Sequence, residues 1–329
     1  MHLKYIQAAS QLGQFKEAER VCRDSTVYDP VAVKNFLKDA KLADPRPLIH
    51  VCDRHDFVEE LSEYLYTNGL VQYIEIYVTK VSPQKTPQVV GKLLELDANE
   101  DLIKKILLSV GGACPIDEMV TIAESRNRLR LLQPWLETRV ASGSIEPATH
   151  NALGKIYISL NKDSKAFLTY NMFYEPQVLG QYCESLDPSF AFLAYKKANG
   201  ECDDDLIRIT NQHSLFREMS RYCVERMDGT LWEKVLQKGV GDSELPETRA
   251  LVDQVVDWAL PESTNADEVS ATVKAFLAAE LPGELISLLE RIVLQGSEFS
   301  ENKNLQNLLI LTAIQAAPGK VAEYIVSGC

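Results

Sequence analysis

Apolar side chains recur at helical spacing along most of the chain. One clear stripe follows the spacing i, i+3, i+4, i+7, i+8 and i+11 over residues 70–81, which places its members on one face of a helix. Similar stripes occupy residues 57–65, 102–110, 119–122, 153–160, 251–258, 269–277, 285–293 and 305–314. Convincing runs that alternate apolar and polar residues are absent. The pattern therefore predicts an all-α chain.

The 14 prolines indicate where helices begin. Proline lacks the N–H group that a helix interior needs, but it fits the first turn, where that donor is unpaired. Six dipeptides precede helical patterns, and in several an acidic or hydroxyl residue can cap the helix: Asp29-Pro30, Thr86-Pro87, Glu146-Pro147, Glu175-Pro176, Asp187-Pro188 and Leu281-Pro282. The stretches between these prolines are roughly 8 to 16 residues long, near the usual length of a helix. They predict about twenty short helices, joined by turns such as Asn68-Gly69 and Asn199-Gly200.

Short helices joined by short turns favour antiparallel neighbours, and stacking such hairpins buries each apolar face against the next hairpin. We therefore expect an α-solenoid, in which about ten hairpins would extend on the order of 100 Å. The residues 61–65, 179–183 and 219–223 share an apolar-x-x-Tyr-apolar pattern. This match fits a helix-turn-helix repeat, but two apolar residues three apart occur in any amphipathic helix, so the question stays open. The polar residues 239–248 read as an extended turn between helices.

Composition narrows the classes of function. With 34 basic and 47 acidic residues the formal charge is −13, which opposes binding to nucleic acid. No run of about 18 apolar residues occurs, and residues 1–30 lack the order of a secretory signal, so we expect a soluble, cytosolic chain without membrane insertion. Seven widely spaced cysteines without a Cys-x-x-Cys pair favour reduced thiols in the core over disulfides or zinc.

Common catalytic and nucleotide-binding motifs are missing. The sequence contains no Gly-x-x-x-x-Gly-Lys, Gly-x-Gly-x-x-Gly, His-Glu-x-x-His or Gly-x-Ser-x-Gly. The run Asp203-Asp204-Asp205 is followed by leucine and isoleucine, without the later ligands of a calcium loop. We predict that these three acids stabilise a helix N-terminus instead.

The histidines offer weak candidates for chemistry. His50 and His55 flank Cys52 and Asp53, but no second ligand pair stands at zinc spacing, so a solvated turn with a packed cysteine is the preferred interpretation. His150 has no cysteine near it in sequence, and nothing marks an oxyanion site. We therefore predict no catalytic residue, no metal site and no cofactor.

One compact basic cluster stands out in this acidic chain. Arg126, Arg128 and Arg130 alternate with other residues over a five-residue stretch. This cluster is a candidate docking patch for an acidic partner surface, and a solvated helix end is the alternative. The three tryptophans fall at stripe positions, which predicts packing in the core over a ligand cage: Trp135, Trp232 and Trp258.

Several stretches resemble the leg of the clathrin heavy chain family. They are NRLRLLQPWLE at 127–137, EPATHNAL at 146–153, YDP at 28–30 with VKNFLK at 33–38, YIEIYV at 73–78 and LQNLLILTAI at 305–314. The resemblance runs in order through essentially the whole chain. The residues 239–248 and 325–329 depart from the pattern of the family.

The resemblance implies a right-handed superhelix of stacked hairpins, in which a unit of five hairpins repeats. Residues 1–90 would be the second half of one repeat, 91–238 a complete repeat and 239–329 the first half of the next. It further implies a structural scaffold on the cytoplasmic face of coated pits and vesicles, without enzymatic activity or a cofactor. The implied partners are other clathrin heavy chain legs, whereas light chains and adaptors bind outside this segment. A helical-repeat adaptor or tether of vacuolar protein sorting is the alternative.

Overall fold

Helices are the only regular secondary structure in the part of the chain that the structure describes. The computed structural model describes residues 2–25, 27–236, 246–295 and 297–326, which contain 22 α-helices and no β-strand. This confirms the all-α prediction. Two compact units, Met1–Tyr174 and Glu175–Cys329, divide the chain. Most of the predicted turn at 239–248, and residues 327–329 of the divergent tail, lie outside the described residues.

The first unit contains twelve α-helices in its described residues. Their bounds are α1 His2–Gln11, α2 Phe15–Asp24, α3 Pro30–Asp39, α4 Arg46–Arg54, α5 Val58–Thr67, α6 Val71–Ile76, α7 Thr86–Glu95, α8 Glu100–Val110, α9 Ile116–Ser125, α10 Gln133–Ala141, α11 Pro147–Leu160 and α12 Ser164–Tyr170. Short 3-10 turns at Pro83–Lys85, Gly111–Ala113 and Leu129–Leu132 lie between them.

Helices of the first unit pack against the next helix and the next but one. Thus α2 contacts α1 and α4, α5 contacts α6 and α7, and α9 contacts α7 and α11. This pattern is that of stacked helix pairs, in which each pair covers the apolar face of the preceding one. A continuous apolar core runs from Ile6 in α1 to Ile156 in α11. The first unit is therefore a solenoid of short helices.

The second unit contains ten α-helices in its described residues. Their bounds are α13 Pro176–Glu184, α14 Pro188–Lys196, α15 Asp203–His213, α16 Phe216–Arg226, α17 Gly229–Val235, α18 Pro246–Gln254, α19 Ala266–Ala278, α20 Pro282–Leu294, α21 Lys303–Ala316 and α22 Val321–Val326. Here too, α14 contacts α13 and α15, and α16 contacts α15, α18 and α19. The same stacking rule therefore builds both units.

The helices α13 and α14 approach each other closely at Gly180. A Cβ atom built on Gly180 would lie 2.3 Å from the ring of Tyr195, which is fully buried. Glycine permits this approach because it has no Cβ. The Tyr195 hydroxyl donates a hydrogen bond of 2.5 Å to Glu184.

Prolines begin helices where the sequence predicts. The helices α3, α11, α13, α14 and α20 begin at proline, and α7 has Pro87 at its second position. The capping of these helices varies. The Asp29 side chain accepts hydrogen bonds from two backbone amides of the helix that follows and Asp187 from one, whereas Glu146 and Glu175 accept none there. The shorter aspartate side chain suits the N-cap geometry.

Two of the apolar stripes contain a change of helix type. The helix α6 continues as a π-helical segment at Tyr77–Val81, and α18 continues as a π-helical segment at Val255–Ala259. A π turn holds one extra residue, so the positions after it rotate relative to an ideal α-helix. Side chains at both junctions stay in the core: Ile74, Tyr77, Val78, Val255 and Val256.

Candidate interaction surface

The predicted basic cluster lies in the connection between α9 and α10. The Arg126 Nη2 atom lies 2.6 Å from the Glu95 Oε1 atom at the end of α7. The Arg128 Nη1 atom lies 3.4 Å from the Glu100 Oε1 atom at the start of α8. The hydrogen bond from Arg126 lowers the pKa of the Glu95 carboxyl below its ordinary value. Both arginines therefore tie this connection to preceding helices.

The third arginine of the cluster reaches the helix that follows. The Arg130 Nη2 atom donates to the backbone oxygen of Ser159 in α11 at 3.4 Å. Arg128 and Arg130 are exposed, and Arg126 is half-buried. The three side chains thus lie at the surface while they contact three other helices of the same unit. Their role as a docking patch stays a prediction.

Ion pairs at a similar sequence separation recur in both units. Each joins residues 29 to 31 positions apart, and therefore links one helix pair to the next. Exposed pairs of this kind contribute about 0–1 kcal/mol each. Examples are Lys105 with Glu75 at 2.8 Å, Lys155 with Glu124 at 2.7 Å, Lys196 with Glu225 at 2.7 Å and Lys234 with Asp204 at 2.6 Å.

The first histidine candidate, His50 with His55, lies at α4. The predicted solvated turn is wrong for residues 50–54, because they belong to this helix. The His50 Nε2 atom lies 3.3 Å from Glu19. Asp53 accepts a hydrogen bond of 2.9 Å from the Tyr77 hydroxyl, and Cys52 is packed in the core as predicted. Where the structure describes the chain, no group of three or more His, Cys, Asp or Glu side chains is placed to hold a metal.

The three consecutive aspartates occupy the first turn of α15, as predicted. Asp203 is 7% exposed and accepts a hydrogen bond of 2.7 Å from the Tyr222 hydroxyl. Asp204 is exposed and pairs with Lys234. Acidic side chains interact favourably with the free amides of a helix N-terminus. These carboxylates therefore stabilise the local fold.

His150 is buried and holds two connections together. Its Nε2 atom lies 2.9 Å from the backbone oxygen of Ser144, and its Nδ1 atom lies 2.9 Å from the amide nitrogen of Asn171. A carbonyl oxygen accepts and an amide nitrogen donates, so these two contacts fit the tautomer with its N–H at Nε2. Both ring nitrogens are engaged in joining the turn after α10 to the segment after α12.

Aromatic and thiol groups mostly lie in the core. Trp135 and Trp232 are 1% and 2% exposed, which confirms the prediction for these two. Trp258 differs: it is half-buried, and the guanidinium carbon of Arg217 lies 4.1 Å from its ring centroid. Six cysteines are buried free thiols. Burial raises the pKa of four of them to about 12: Cys22, Cys52, Cys114 and Cys183.

One exposed apolar surface was not predicted from the sequence. The segment that ends α12 and follows it, residues 170–173, is here called the apolar loop. Tyr170, Met172 and Phe173 are 80%, 74% and 46% exposed, and Ile145 in the turn after α10 is 66% exposed. The Phe173 ring lies 5.1 Å from the His150 ring. Aromatic residues at this density usually indicate core, so sequence carried no signal that they face solvent.

Stacked helix pairs with surface ion pairs define a helical-repeat protein. The chain belongs to the clathrin family, whose sequence model, described as a region in clathrin and VPS, matches residues 1–101, 107–241 and 260–327. No helix in the described ranges combines the length and apolarity needed to cross a bilayer.

Clathrin heavy chains from distant organisms are similar to this chain. The identity is 56% to the clathrin heavy chain of Dictyostelium discoideum, 54% to clathrin heavy chain 2 of Homo sapiens and 53% to the clathrin heavy chain of Drosophila melanogaster. Each alignment covers 325 residues, which is 99% of this chain and 19% of the relative. The chain thus spans about a fifth of the length of these relatives. The resemblance noted from the sequence is confirmed.

Proposed function

We propose that this chain is a structural leg segment of the clathrin lattice that coats pits and vesicles in endocytosis and intracellular transport. The observation that carries the proposal is an identity of 56% to a clathrin heavy chain over 325 residues. Stacked short helices in each unit support a mechanical role, since each helix pair is supported by its neighbours. These relatives favour this function over a tether of vacuolar sorting.

The mechanism we propose is reach, stiffness and lateral contact, without catalysis or a cofactor. Other clathrin heavy chain legs are the partners, and many weak contacts between legs become strong together through multivalency. Weak individual contacts also allow the coat to disassemble. Light chains and adaptors would bind outside this segment. The location would be the cytoplasmic face of coated pits and vesicles.

We also propose the repeat organisation 1–90, 91–238 and 239–329. Two stretches that match the family model, 1–101 and 107–241, support it in part, because they end 11 and 3 residues beyond the proposed ends at 90 and 238. Hydrogen exchange would test it. Protection should change in blocks that end near residues 90 and 238, since cooperative units in repeat proteins follow the repeats. Blocks with other limits would contradict these boundaries.

The arginine cluster remains a proposed lateral docking patch. Arg128 and Arg130 are exposed, which supports contact with an acidic surface, although each also hydrogen-bonds within its unit. Charge reversal by Arg128→Glu should reduce lattice assembly of a full-length heavy chain without loss of helix content. The control is Lys104→Glu in α8, a cation outside the cluster. Equal effects of the two changes on assembly would show that the arginine cluster is not a docking patch.

Assembly is the direct test of the scaffold function. The matching 325 residues of the Dictyostelium discoideum heavy chain would be replaced by this chain, and cages counted by electron microscopy. We expect closed cages. A matched chimera that lacks the helix pair α11 and α12 should give few, because the leg would be shorter and rotated. Folded chimeras without cages would contradict the proposal and favour the tether function.

Scattering tests the solenoid form of the segment independently. A compact protein of this length should have a radius of gyration of about 20 Å, whereas a rod on the order of 100 Å long should approach roughly 30 Å. Small-angle X-ray scattering of the 329-residue chain separates the two. A value near 20 Å would count against a leg segment.

A further inference from the structure

The side chain of Asn171, in the apolar loop, has its amide orientation fixed by the backbone. Its Oδ1 atom accepts a hydrogen bond of 2.9 Å from the backbone N–H of Phe173, a group that can only donate. The Asn171 amide nitrogen is therefore the atom that faces His150, and it lies 2.9 Å from the Nδ1 atom of that ring. Because an amide nitrogen can only donate, Nδ1 of His150 accepts and carries no proton in this arrangement.

The His150 ring joins two connections of the first unit. It is 2% exposed, and its Nε2 atom lies 2.9 Å from the backbone oxygen of Ser144, in the turn after α10. The centroid of the ring lies 5.1 Å from that of Phe173, in the apolar loop. Water therefore has little access to the ring. Neither ring nitrogen can exchange a lost protein partner for solvent unless one of the two connections moves.

The charged groups around His150 are engaged with other partners or stand apart from the ring. Glu146, one helical turn before His150, binds Arg139, and its Oε2 atom lies 3.4 Å from the Thr149 hydroxyl. Within the described ranges, no charged side chain forms an ion pair or a hydrogen bond with the ring. Those on α11 and on the elements packed against it include Glu124 in α9, Arg130 before α10, Glu137 in α10, Lys155 in α11, Asp163 and Lys165 at α12 and Glu175 after it. The two hydrogen-bond partners of the ring therefore govern its response to a second proton.

A second proton on His150 would change an acceptor into a donor. It would add to Nδ1, since Nε2 already carries one, and two N–H groups would then face each other between His150 and Asn171. Turning the Asn171 amide around would offer its oxygen to His150, but would bring its nitrogen against the Phe173 N–H. No orientation of Asn171 satisfies both neighbours. One of these hydrogen bonds must therefore break when the ring is protonated.

We propose that His150 and Asn171 form a pH-dependent latch, which holds the apolar loop while the ring is neutral and releases it when the ring is protonated. Histidine is the side chain whose charge ordinarily changes between about pH 5 and pH 8. Because the fold binds the neutral ring, the latch is closed at the upper end of this range and opens as the pH falls. The apolar loop follows α12, the last helix of the first unit. The latch thus acts on the local order of the chain where that unit ends.

Hydrogen exchange at the Phe173 amide measures whether the latch is closed. Exchange in the 329-residue chain would be followed by NMR at about pH 7.5 and about pH 5, and divided by the rate of an unstructured peptide at each pH. We expect the protection of Phe173 to fall at least about tenfold at the lower pH, because this amide loses its acceptor. The matched control is the Asn304 amide, which donates to Asn302 at 3.0 Å in the second unit. Its protection should not change.

The variant Asn171→Asp should abolish this response. A carboxylate can accept from the Phe173 N–H and from a protonated His150 together, so the latch would stay closed at about pH 5. A role of Asn171 in packing alone would not predict this change. Nitrogen-15 spectra of the histidine rings report the protonation of His150 itself. In the wild type, the loss of protection at Phe173 should follow that titration.

Four results would overturn the inference, and two of them need no variant. The first is a His150 ring that stays neutral down to about pH 5, and the second is unchanged protection of Phe173 while the ring gains its proton. An equal loss of protection at Asn304 would show a general loosening of the fold. A loss in Asn171→Asp as large as in the wild type would exclude the contact between Asn171 and His150 as the cause. The inference does not rest on the proposed lattice function, since cage formation is not its readout.

Discussion

The two compact units are built from the same kind of stacked helix pair but differ in charge. Met1–Tyr174 has nearly equal numbers of acidic and basic side chains, 22 and 21, whereas Glu175–Cys329 has 25 and 13. In both, apolar faces bury against the next pair and ion pairs join residues about 30 positions apart. Fold and surface charge thus vary independently in a helical repeat, because packing uses the buried face and leaves the outer face free to change.

The largest effect should come from close packing, which does not depend on charge. Gly180→Ala in the second unit should lower the free energy of unfolding by about 3 kcal/mol or more, because the new Cβ overlaps the Tyr195 ring. Gly91→Ala in the first unit should change it by less than about 1 kcal/mol in either direction, since its nearest contact is 3.4 Å from Ile122. Urea unfolding followed by circular dichroism measures both. Similar effects at the two glycines would contradict this packing argument.

The next largest effect on stability should come from a buried acidic side chain of the second unit, compared with an exposed one beside it. Asp203→Ala should cost about 1–3 kcal/mol, because it leaves the buried Tyr222 hydroxyl without its acceptor. Asp204→Ala should cost less than about 1 kcal/mol, since its pair with Lys234 is exposed. Thermal unfolding of the two variants gives the comparison. If both changed stability equally, the acidic turn would act through the helix N-terminus alone.

A smaller contribution to the free energy of unfolding, from Glu184 in the second unit, should depend on pH. Hydrogen bonds from Arg208 and Tyr195 lower the pKa of the Glu184 carboxyl in the folded state. A lowered pKa stabilises the fold above the ordinary glutamate value near 4.5, and that contribution is lost as the pH falls below it. The difference in unfolding free energy between wild type and Glu184→Gln should be on the order of 1 kcal/mol at pH 7. It should shrink between pH 5 and pH 3, while a constant difference would exclude this carboxyl as the cause.

The smallest effect concerns the surface ion pairs that both units share. A double-mutant cycle on Arg126 and Glu95 should give a coupling energy of about 0.2–1 kcal/mol that falls with added salt. The matched pair Lys196 and Glu225 in the second unit should give a similar value, as its atoms are 2.7 Å apart. Coupling much larger in one unit would mean that the surrounding charge matters more than the local geometry.

Prediction from the sequence succeeded where the cause is local. Proline and aspartate act within one helix turn, so the starts of α3 and α14 follow from Asp29-Pro30 and Asp187-Pro188 alone. It failed where the local pattern has two outcomes. The stripe at 70–81 does not tell an α-helix from one that continues as a π-helical segment, because both place Ile74 and Tyr77 in the core.

The sequence by itself therefore determined the helical class, the helix starts at the six proline dipeptides and the family, because proline geometry, helical periodicity and sequence identity are properties of the chain as written. The tertiary structure alone decided which side chains contact each other and which side chains face solvent. Arg126 lies against Glu95 and His150 against Asn171 because stacking brings together residues that are 31 and 21 positions apart. The same stacking leaves Tyr170 and Met172 in solvent, although their sequence resembles a core segment. Exposure depends on which pair covers which face, and no short pattern encodes that.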